Sequence, residues 1–343
     1  MNIAIIKLSS LGDIIHASAS LALIKKYIKD AHISWFADLK FGKILNHCAL
    51  LDEIILLPLK EKNYKKSFEI LKQYQNKFDL IIDLQGLIKS SIIARILGKN
   101  IYGFSYKSAK EGICSILYAH KFKSDYNENV ILRNANLCAF GLKFTYQINE
   151  IINKNAIFTK NLFSYENLQK DKILINNENL TNKNYILIAP FASEQSKCYA
   201  HFDEVIKILK SSLKNYEILI IQNGDNELIK AKKIAQISSA KVLKMLDFSK
   251  LITLINNASI LIGNDSGISH LAWAQNTATI TLFGNRPSQR NALLTTKNLV
   301  IDSGKKIDAK KINKNDFCIN EIKPEIIANA AFDLIKILKN DNA

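Results

Sequence analysis

Short apolar runs of strand length recur along the whole chain, and stretches of helix length separate them. In the first half the runs cover residues 2–8, 32–38, 53–59, 79–84 and 101–105. In the second half they cover residues 185–192, 216–223, 241–246, 259–265, 278–284 and 298–303. Continuously apolar strands that alternate with helices are typical of parallel sheets covered on both faces. The pattern therefore predicts an α/β protein with two doubly wound, Rossmann-like domains.

The chain length supports the same division, because 343 residues exceed the size at which one core usually keeps growing. Residues 153–184 are polar and rich in Asn and Lys, which favours a domain boundary there. We expect a first domain over 1–160, a second over 161–320, and a C-terminal segment over 321–343. The pattern predicts one amphipathic helix in that last segment, packed back on the first domain. Ligands are expected in a cleft between the domains, at the carboxyl ends of the strands.

The composition is typical of a folded protein without a disulfide framework. Hydrophobic residues make up 48% of the chain and charged residues 23%, as in folded proteins. We see neither a basic leader nor a run of about 18 apolar residues, and therefore expect a cytoplasmic protein. The five cysteines are scattered singly, so neither a disulfide framework nor a structural zinc site is expected.

The formal net charge of +16 indicates a partner that carries phosphates. That partner could be a nucleic acid, a lipid head group or a nucleotide, and biased codon usage also accounts for part of a lysine excess. Nucleic-acid binding would favour clustered arginines and exposed aromatic residues, but the chain has only four arginines. We therefore expect no nucleic-acid partner.

A compact polar turn, K-L-S-S-L-G-D-I-I-H over residues 7–16, follows the first apolar run and precedes a helix. The chain contains neither G-x-G-x-x-G nor G-x-x-x-x-G-K-[ST], which disfavours nicotinamide chemistry and P-loop hydrolysis. Asp13 has two interpretations. It either caps the helix that follows, or acts as a general base at the end of a strand.

The stretch G-N-D-S-G-I-S-H-L-A-W-A, residues 263–274, follows another apolar run. A helix that begins near Ser266 would present free backbone N–H groups and bind a phosphate. Gly263 and Gly267 would permit close approach of the backbone, and Ser266 and Ser269 would supply hydroxyls.

Two other polar residues in this stretch have open interpretations. Asp265 at the strand end would reach a sugar hydroxyl or a backbone N–H group. His270 is either hydrogen-bonded within the core or a ligand contact.

The loop after 185–192 contains two further candidates. Lys197 could pair with a phosphate, although most single lysines are only solvated, and Cys198 is expected to be structural.

Two further sets of loops suggest binding functions. Acidic residues in 222–228 could accept hydrogen bonds from a ribose, although turn chemistry explains this loop equally well. The basic stretches 60–66 and 106–110, together with the residues after 79–84, suggest an anionic second substrate. A solvated lysine surface is the alternative.

Taken together, these loops resemble those of the bacterial lipopolysaccharide heptosyltransferases, glycosyltransferase family 9. The most specific elements are residues 7–16, D-L-Q-G-L-I-K-S over 83–90, and G-N-D-S-G-I-S-H-L over 263–271. The resemblance covers nearly the whole chain and is greatest to the members that add the first heptose. It implies a GT-B architecture, with the acceptor on the N-terminal domain and ADP-L-glycero-D-manno-heptose on the C-terminal domain.

The resemblance also implies roles for individual residues. Asp13 matches the catalytic base, and Lys197 matches the lysine that stabilises the departing diphosphate. The implied donor-binding residues are Ser193, Lys197, Glu227, Asp265, Ser266, Gly267 and His270. The implied acceptor-binding residues are Ser10, Gly12, Lys60, Lys65, Lys66, Gln85 and Lys110. No metal and no other cofactor is implied, because lysine and helix N–H groups can take up the negative charge.

This chain departs from the family pattern in two places. It has lysine where arginine is usual among the acceptor residues, and lysine makes a point contact where arginine forms a fork. Tyr199 and His201 replace the usual aromatic-proline pair after the donor lysine.

The implied activity is transfer of heptose to the Kdo of Kdo-lipid A during assembly of the lipopolysaccharide inner core. We expect a monomer that lies peripherally on the anionic cytoplasmic face of the inner membrane. Addition of a later heptose is the first alternative. More distant alternatives are a non-catalytic, epimerase-like sugar-nucleotide binder and a basic nucleic-acid-binding protein.

Overall fold

The computed structural model describes residues 1–180 and 184–341, and the chain divides into two compact units, Met1–Lys160 and Asn161–Ala343. Each unit is built around a six-stranded sheet in which every neighbouring pair of strands is parallel. The prediction of two doubly wound α/β domains is confirmed.

The first unit contains six strands and seven α-helices. The strands are β1 (Asn2–Ile6), β2 (His32–Asp38), β3 (Glu53–Leu57), β4 (Leu80–Asp83), β5 (Ile101–Phe104) and β6 (His120–Phe122). The helices are α1 (Leu11–Ser18), α2 (Ser20–Tyr27), α3 (Leu39–Gly42), α4 (Tyr64–Gln73), α5 (Ile88–Leu97), α6 (Val130–Leu142) and α7 (Ile148–Ile152). Two 3-10 helices cover Lys43–His47 and Gly112–Leu117.

The second unit repeats the scheme. Its strands are β7 (Tyr185–Ala189), β8 (Glu217–Ile220), β9 (Lys241–Val242), β10 (Ile260–Asn264), β11 (Thr279–Phe283) and β12 (Asn298–Asp302). Its helices are α8 (Tyr165–Lys170), α9 (Phe202–Ser212), α10 (Asp225–Ser238), α11 (Phe248–Asn256), α12 (Gly267–Ala274), α13 (Ser288–Asn291) and α14 (Pro324–Asp341). Two further 3-10 helices cover Gln195–Lys197 and Cys318–Glu321.

Strand order is the same in both sheets. The first sheet runs β3-β2-β1-β4-β5-β6, and the second runs β9-β8-β7-β10-β11-β12 when read from the corresponding edge. In each sheet the chain therefore winds outwards from a central strand in one direction, returns, and winds out in the other. The chain reverses its winding direction between the neighbouring strands β1 and β4, and again between β7 and β10. Such a reversal is a topological switch point, where ligands of these folds bind.

All eleven predicted strands are present. The sequence analysis missed β6, a three-residue strand at the edge of the first sheet. Two of its three residues, His120 and Lys121, are polar or charged, and all three are exposed or half-buried, so no apolar run marks this strand. Edge strands of this kind are commonly short and polar.

The chain divides between residues 160 and 161, inside the polar stretch 153–184 where the boundary was expected. The described residues that follow the division fold as part of the second unit. Leu168, Ile173 and Leu174 are buried there, and Leu174 forms an isolated β-bridge with Leu243. Three apolar side chains thus anchor a segment whose average composition is polar. Residues 181–183 lie outside the described residues.

The predicted C-terminal helix exists, but its packing is not the one expected. Its inward residues Ile327, Ala331 and Leu334 join the core of the second unit, together with Phe202 and Leu209 of α9. The helix also packs on β11. The prediction assigned this helix to the first domain, whereas its apolar stripe covers the strands and the helix α9 of the second unit.

The helix α9 is amphipathic, with Phe202, Val205, Ile206 and Leu209 buried on one face. Within residues 1–180 and 184–341, no helix combines the length and the apolar character that crossing a membrane requires.

Candidate active site

The predicted site residues concentrate on the loops that leave the four strands beside the two switch points. In the first unit, the loop after β1 carries Ser10, Gly12 and Asp13, and the loop after β4 carries Gln85. In the second unit, the loop after β7 carries Ser193 and Lys197, and the loop after β10 carries Asp265 and Ser266.

Asp13 is the third residue of α1 and is half-buried. Its Oδ2 atom accepts a hydrogen bond from the backbone N–H group of Ser10 at 2.9 Å and another from Ser10 Oγ at 3.0 Å. The capping interpretation is therefore correct, and Ser10 and Asp13 form a capping box. Asp13 Oδ1 accepts no hydrogen bond from the described residues, so one carboxylate oxygen is available for other chemistry.

Gln85 holds the β1–α1 loop in place. Its Oε1 atom accepts hydrogen bonds from the N–H groups of Leu8 at 2.9 Å and Ser9 at 3.2 Å. The buried Lys7 Nζ atom, just after β1, donates to the carbonyl of Leu84, just after β4, at 2.8 Å and thus links the two strands at the switch point. Gln85, predicted as an acceptor contact, therefore has a positioning role for the loop that carries Asp13.

A buried carboxylate fixes the turn that carries Gln85. Asp83 Oδ1 accepts hydrogen bonds from the N–H groups of Gln85 and Gly86, and Oδ2 accepts from Ser90 Oγ at 2.7 Å and Tyr118 Oη at 2.6 Å. Complete burial raises the pKa of Asp83 despite these four hydrogen bonds. Gly86 has φ = +67°, which favours glycine at this turn. The D-L-Q-G motif is thus a structural turn beneath the site.

The four predicted acceptor lysines lie farther along the same edge of the first sheet. Lys60, Lys65 and Lys66 follow β3, and Lys110 follows β5. Each of those strands is two positions from β1, which corresponds to about 10 Å across the sheet. All four lysines are exposed, and none forms an ion pair with a described residue. The structure therefore places them at the sheet edge that also carries Asp13, without an ion-pair partner among the described residues.

The second unit brings three predicted residues into direct contact. Asp265 is 4% exposed, and its Oδ2 atom lies 2.8 Å from Lys197 Nζ. Its Oδ1 atom lies 2.9 Å from His270 Nε2, and because an ionised carboxylate only accepts hydrogen bonds, this ring nitrogen is the donor. Lys197 comes from the 3-10 helix after β7 and His270 from the second turn of α12. The sequence alone could not show these contacts, because Lys197 is far along the chain from Asp265 and His270.

Charge explains why Asp265 remains ionised. Burial alone would raise the pKa of Asp265, but Lys197 and His270 together outweigh burial and hold the pKa well below its usual range. The carboxylate in turn keeps the Lys197 ammonium group, which is 16% exposed, at the mouth of the site. The cluster thus offers a fixed positive charge beside the start of α12.

The start of α12 fits the predicted anion site. The helix begins at Gly267, with Ser266 as the residue before it, and the Ser266 side chain does not cap it. Ser266 Oγ is buried and has no hydrogen-bond partner among the described residues. Backbone N–H groups at the N-terminus of a helix that lack a side-chain cap favour bound anions.

Two details of this stretch differ from the prediction. Ser269 Oγ is buried and donates to the carbonyl of Asn264 at 2.7 Å, so it holds the helix to the strand and does not face a ligand. A Cβ atom on Gly263 would lie 2.8 Å from both Ala189 Cβ and Ser269 Oγ. Gly263 is therefore a packing residue between β10 and β7, and not a point of backbone approach to a ligand.

The remaining residues that were predicted to bind the donor follow β7 and β8, which are neighbouring strands. Ser193 is exposed in the loop after β7, three residues after Pro190. Glu227, in the first turn of α10, accepts a hydrogen bond through Oε2 from the N–H group of Asn223 at 2.7 Å. Burial raises the pKa of Glu227. Asp225, the competing candidate for the ribose, is exposed.

The sequence analysis missed a group of residues that ties the donor loop to its neighbours. Arg286 Nη2 lies 2.9 Å from Glu194 Oε2, and Lys314 Nζ lies 3.3 Å from the same oxygen. Burial raises the pKa of Glu194, but Arg286 and Lys314 outweigh it and leave the pKa below its usual value. Asn285 Nδ2 also donates to the carbonyl of Asn313 at 2.8 Å. Arg286 follows β11, the strand beside β10. Its place after a neighbouring strand was the sequence feature that could have identified it.

Cys198, beside Lys197, is a free thiol whose Sγ atom faces the carbonyls of Ala192 and Glu194. Burial raises its pKa, which disfavours a nucleophilic thiolate.

Comparison with known proteins supports the sequence resemblance. The profile of glycosyltransferase family 9 (heptosyltransferase) matches residues 68–318. The chain is 37% identical to lipopolysaccharide heptosyltransferase 1 of Campylobacter coli over 99% of this chain and 98% of that protein. It is 23% identical to lipopolysaccharide heptosyltransferase 1 of Escherichia coli K12 over 83% of this chain and 88% of that protein.

A solved structure shares the fold. The structure of E. coli heptosyltransferase WaaC with ADP has a TM-score of 0.70 and 20% sequence identity, over 98% of this chain and 100% of that one.

Proposed function

Because this chain belongs to glycosyltransferase family 9, the heptosyltransferases, we propose that it acts as heptosyltransferase I. In this proposal it transfers L-glycero-D-manno-heptose from ADP-heptose to the Kdo of Kdo-lipid A in the lipopolysaccharide inner core. The observation that carries the proposal is the buried Asp265 carboxylate, which holds Lys197 beside the uncapped N-terminus of α12. A fixed cation and free N–H groups together suit a diphosphate leaving group.

The donor binds at the second switch point in this proposal. Lys197, the N–H groups around Gly267 and the unpartnered Ser266 hydroxyl contact the diphosphate, and Ser193 lies beside them. His270 acts by fixing the Asp265 carboxylate, and Glu227 accepts hydrogen bonds from the ribose. The relative solved with ADP supports an adenosine diphosphate donor for this family.

Asp13 is the proposed catalytic base. Its Oδ1 atom, which has no described hydrogen-bond partner, takes the proton from a Kdo hydroxyl. That hydroxyl oxygen bonds to the anomeric carbon of the heptose as the bond from carbon to the diphosphate oxygen breaks. Attack from the opposite side inverts the anomeric centre, and the electron pair of the broken bond leaves on ADP. The capping bonds from Ser10 to Oδ2 orient the base.

The acceptor carries negative charge, and the lysines at the sheet edge that also carries Asp13 suit it. Lys60, Lys65, Lys66 and Lys110 would contact its phosphate or carboxylate groups as single point charges. Ser10, Gly12 and Gln85 would shape the loop beneath the acceptor hydroxyl.

The reaction is proposed to need no metal ion, because Lys197 and the start of α12 supply the positive field that a metal would otherwise provide. Enzyme dialysed against EDTA should release ADP at the rate of untreated enzyme. Activity that disappears with EDTA and returns with Mg²⁺ would show that this part of the proposal is wrong.

A lipid-linked acceptor requires the enzyme to work at a membrane surface. We propose a monomer that associates peripherally with the anionic cytoplasmic face of the inner membrane, since a net charge of +16 favours anionic lipid.

The decisive experiment measures ADP release from ADP-heptose with either Kdo-lipid A or heptosyl-Kdo-lipid A as acceptor. Release with the first acceptor only is the expected result. Release with the second only would assign heptosyltransferase II or III instead, and release with neither would overturn the donor or acceptor assignment. The Asp13→Asn variant serves as the paired test of the base.

A further inference from the structure

One face of the first unit exposes more large apolar side chains than a folded surface needs. Tyr64 and Phe68 of α4, Ile88 and Ile92 of α5, and Ile113 and Ile116 of the 3-10 helix over Gly112–Leu117 are between 43% and 72% exposed. We call these six residues the apolar patch. Scattered single apolar residues are normal on a protein surface, but a contiguous group of this kind indicates a binding surface.

The packing of the three elements makes the patch contiguous. The helix α5 packs against α4 on one side and against the 3-10 helix on the other. Lys89 Nζ, from α5, lies 5.2 Å from the centre of the Tyr64 ring on α4. The apolar residues recur at positions i and i+4 on each α-helix, and at i and i+3 on the 3-10 helix, so each pair shares one outward face.

The segment that carries the patch has an excess of positive charge. Between residues 60 and 117 the sequence has eleven lysines and arginines but five aspartates and glutamates. One of those acids is buried Asp83, and another, Glu111, accepts a hydrogen bond from the N–H group of Ile88. Lys72 Nζ lies 5.0 Å from the Phe68 ring. Lysine stems that lie along apolar and aromatic side chains, with their ammonium groups outermost, are typical of surfaces that contact lipid head groups.

We infer that the apolar patch is the surface through which this protein docks on an anionic phospholipid bilayer, with Ile113 and Ile116 inserted among the lipids. The charge complementarity selects lipid over a second copy of the chain, since two faces with the same lysine excess repel each other. This inference rests on the proposed peripheral membrane association and deepens it, by naming the face that binds and the side chains that enter the bilayer.

The position of the patch also suits a lipid-linked acceptor. The helices α4 and α5 begin at the edge of the sheet where the parallel strands end, so Tyr64 and Ile88 lie toward the edge that carries Asp13. A bilayer against this face would present a sugar attached to lipid close to the first switch point.

The test uses purified full-length protein and vesicles that contain no sugar acceptor. Vesicles of phosphatidylethanolamine and phosphatidylglycerol are compared with vesicles of phosphatidylcholine alone, by co-sedimentation at low and high salt. The inference predicts binding to the anionic vesicles, which weakens with salt, and at least about tenfold weaker binding by Ile113→Ser/Ile116→Ser. The matched control is Ile229→Ser/Ile237→Ser, which removes two exposed isoleucines from α10 of the second unit.

A fluorescence measurement tests insertion directly. Both native tryptophans, Trp35 and Trp273, are buried, so a tryptophan placed by Ile116→Trp reports on the patch. Its emission should shift to shorter wavelength with anionic vesicles, whereas that of Ile237→Trp should not. Equal vesicle binding by the patch variant and its control, or an oligomer in solution that only the patch variant dissolves, would overturn the inference.

These outcomes are separable from a failure of the proposed function. ADP release with an acceptor fragment that lacks acyl chains should be the same for wild type and for Ile113→Ser/Ile116→Ser. If vesicle binding behaves as predicted but ADP is not released, the docking surface stands and the proposed reaction does not.

Discussion

Asp13 and Asp265 each lie beside the switch point of their own sheet, but Asp13 follows β1 whereas Asp265 follows β10, the equivalent of β4, and their surroundings differ. Each follows a strand beside a switch point and stands at the start of a helix. Asp13 is half-buried and uses one oxygen to cap its own helix. Asp265 is buried, and Lys197 and His270 contact its two oxygens. The comparison teaches that one topology serves both a carboxylate with a free oxygen and a carboxylate whose role is to fix positive charge.

The strongest test of this contrast replaces the Asp13 carboxylate, which can accept a proton, with an amide, which cannot. Asp13→Asn should lower kcat by about 10³-fold, within the range expected for general-base catalysis. The melting temperature should change little, because the asparagine side-chain oxygen can still accept the bonds from Ser10. Steady-state ADP release and thermal unfolding measure the two effects.

The control for this variant is Ser10→Ala, which removes one capping bond and keeps the carboxylate. It should cost about 1 kcal/mol of stability or less and reduce kcat far less than Asp13→Asn. If both variants lose activity equally, Asp13 acts only as a helix cap.

The second test removes the cation that Asp265 holds. Lys197→Met should lower kcat by roughly 10²- to 10³-fold, since a preorganised charge on the leaving group is lost. It should also lower the free energy of unfolding by roughly 3 kcal/mol, because a buried carboxylate loses its main partner. Chemical denaturation checks the second effect.

Lys314→Met is the matched control for Lys197→Met. Lys314 also lies near a carboxylate, but its side chain is 70% exposed, so its removal should change stability by less than about 1 kcal/mol. Similar stability losses in both variants would contradict the distinction between a buried and an exposed pair.

The third test uses pH. Lys197 and His270 hold the pKa of Asp265 below its value of about 3.9 in the unfolded chain. The resulting stabilisation is therefore fully present above about pH 4 and is lost as the pH falls through the lower, folded-state pKa. The difference in unfolding free energy between wild type and Asp265→Asn should be constant from pH 7 to about pH 5. It should shrink below about pH 4, and a constant difference down to pH 3 would contradict the ion pairing.

The smallest expected effect concerns the residues that tie the donor loop to its neighbours. Glu194→Gln and Arg286→Gln should each raise KM for ADP-heptose by roughly three- to tenfold, as expected when a loop loses one partly exposed ion pair. Because both changes break the same contact, the double variant should be little worse than either single variant. Fully additive effects would show that the two residues act independently.

Sequence patterns predicted the fold well because the strands are buried on both faces and are therefore uninterrupted apolar runs. They failed where the pattern was local or weak. The strand β6 is too short and polar to form such a run, and the apolar stripe of α14 carries no information about which core it joins. The polar composition of the segment after the boundary also gave no sign of its anchors, because Leu168, Ile173 and Leu174 are few among many polar residues.

The site was predictable in its residues but not in its contacts. Motifs identified Lys197, Asp265 and His270 separately, and the structure adds that one carboxylate joins them. Gln85 Oε1 accepts hydrogen bonds from two backbone N–H groups of the β1–α1 loop, which the motif did not indicate, and its predicted contact with the acceptor stays a prediction. Such pairings depend on which strands are neighbours, and therefore follow from strand order rather than from spacing along the chain.

The absence of a side chain at Gly263 allows β10 to pack closely against β7 and α12. A methyl group there would lie 2.8 Å from Ala189 Cβ and Ser269 Oγ, well inside ordinary contact distance. Even alanine would force α12 and the strands apart by about 1 Å, and a displacement of that size in a catalytic group can cost about a hundredfold in rate. The distance between the start of α12 and the sheet therefore depends on the absence of a methyl group at Gly263.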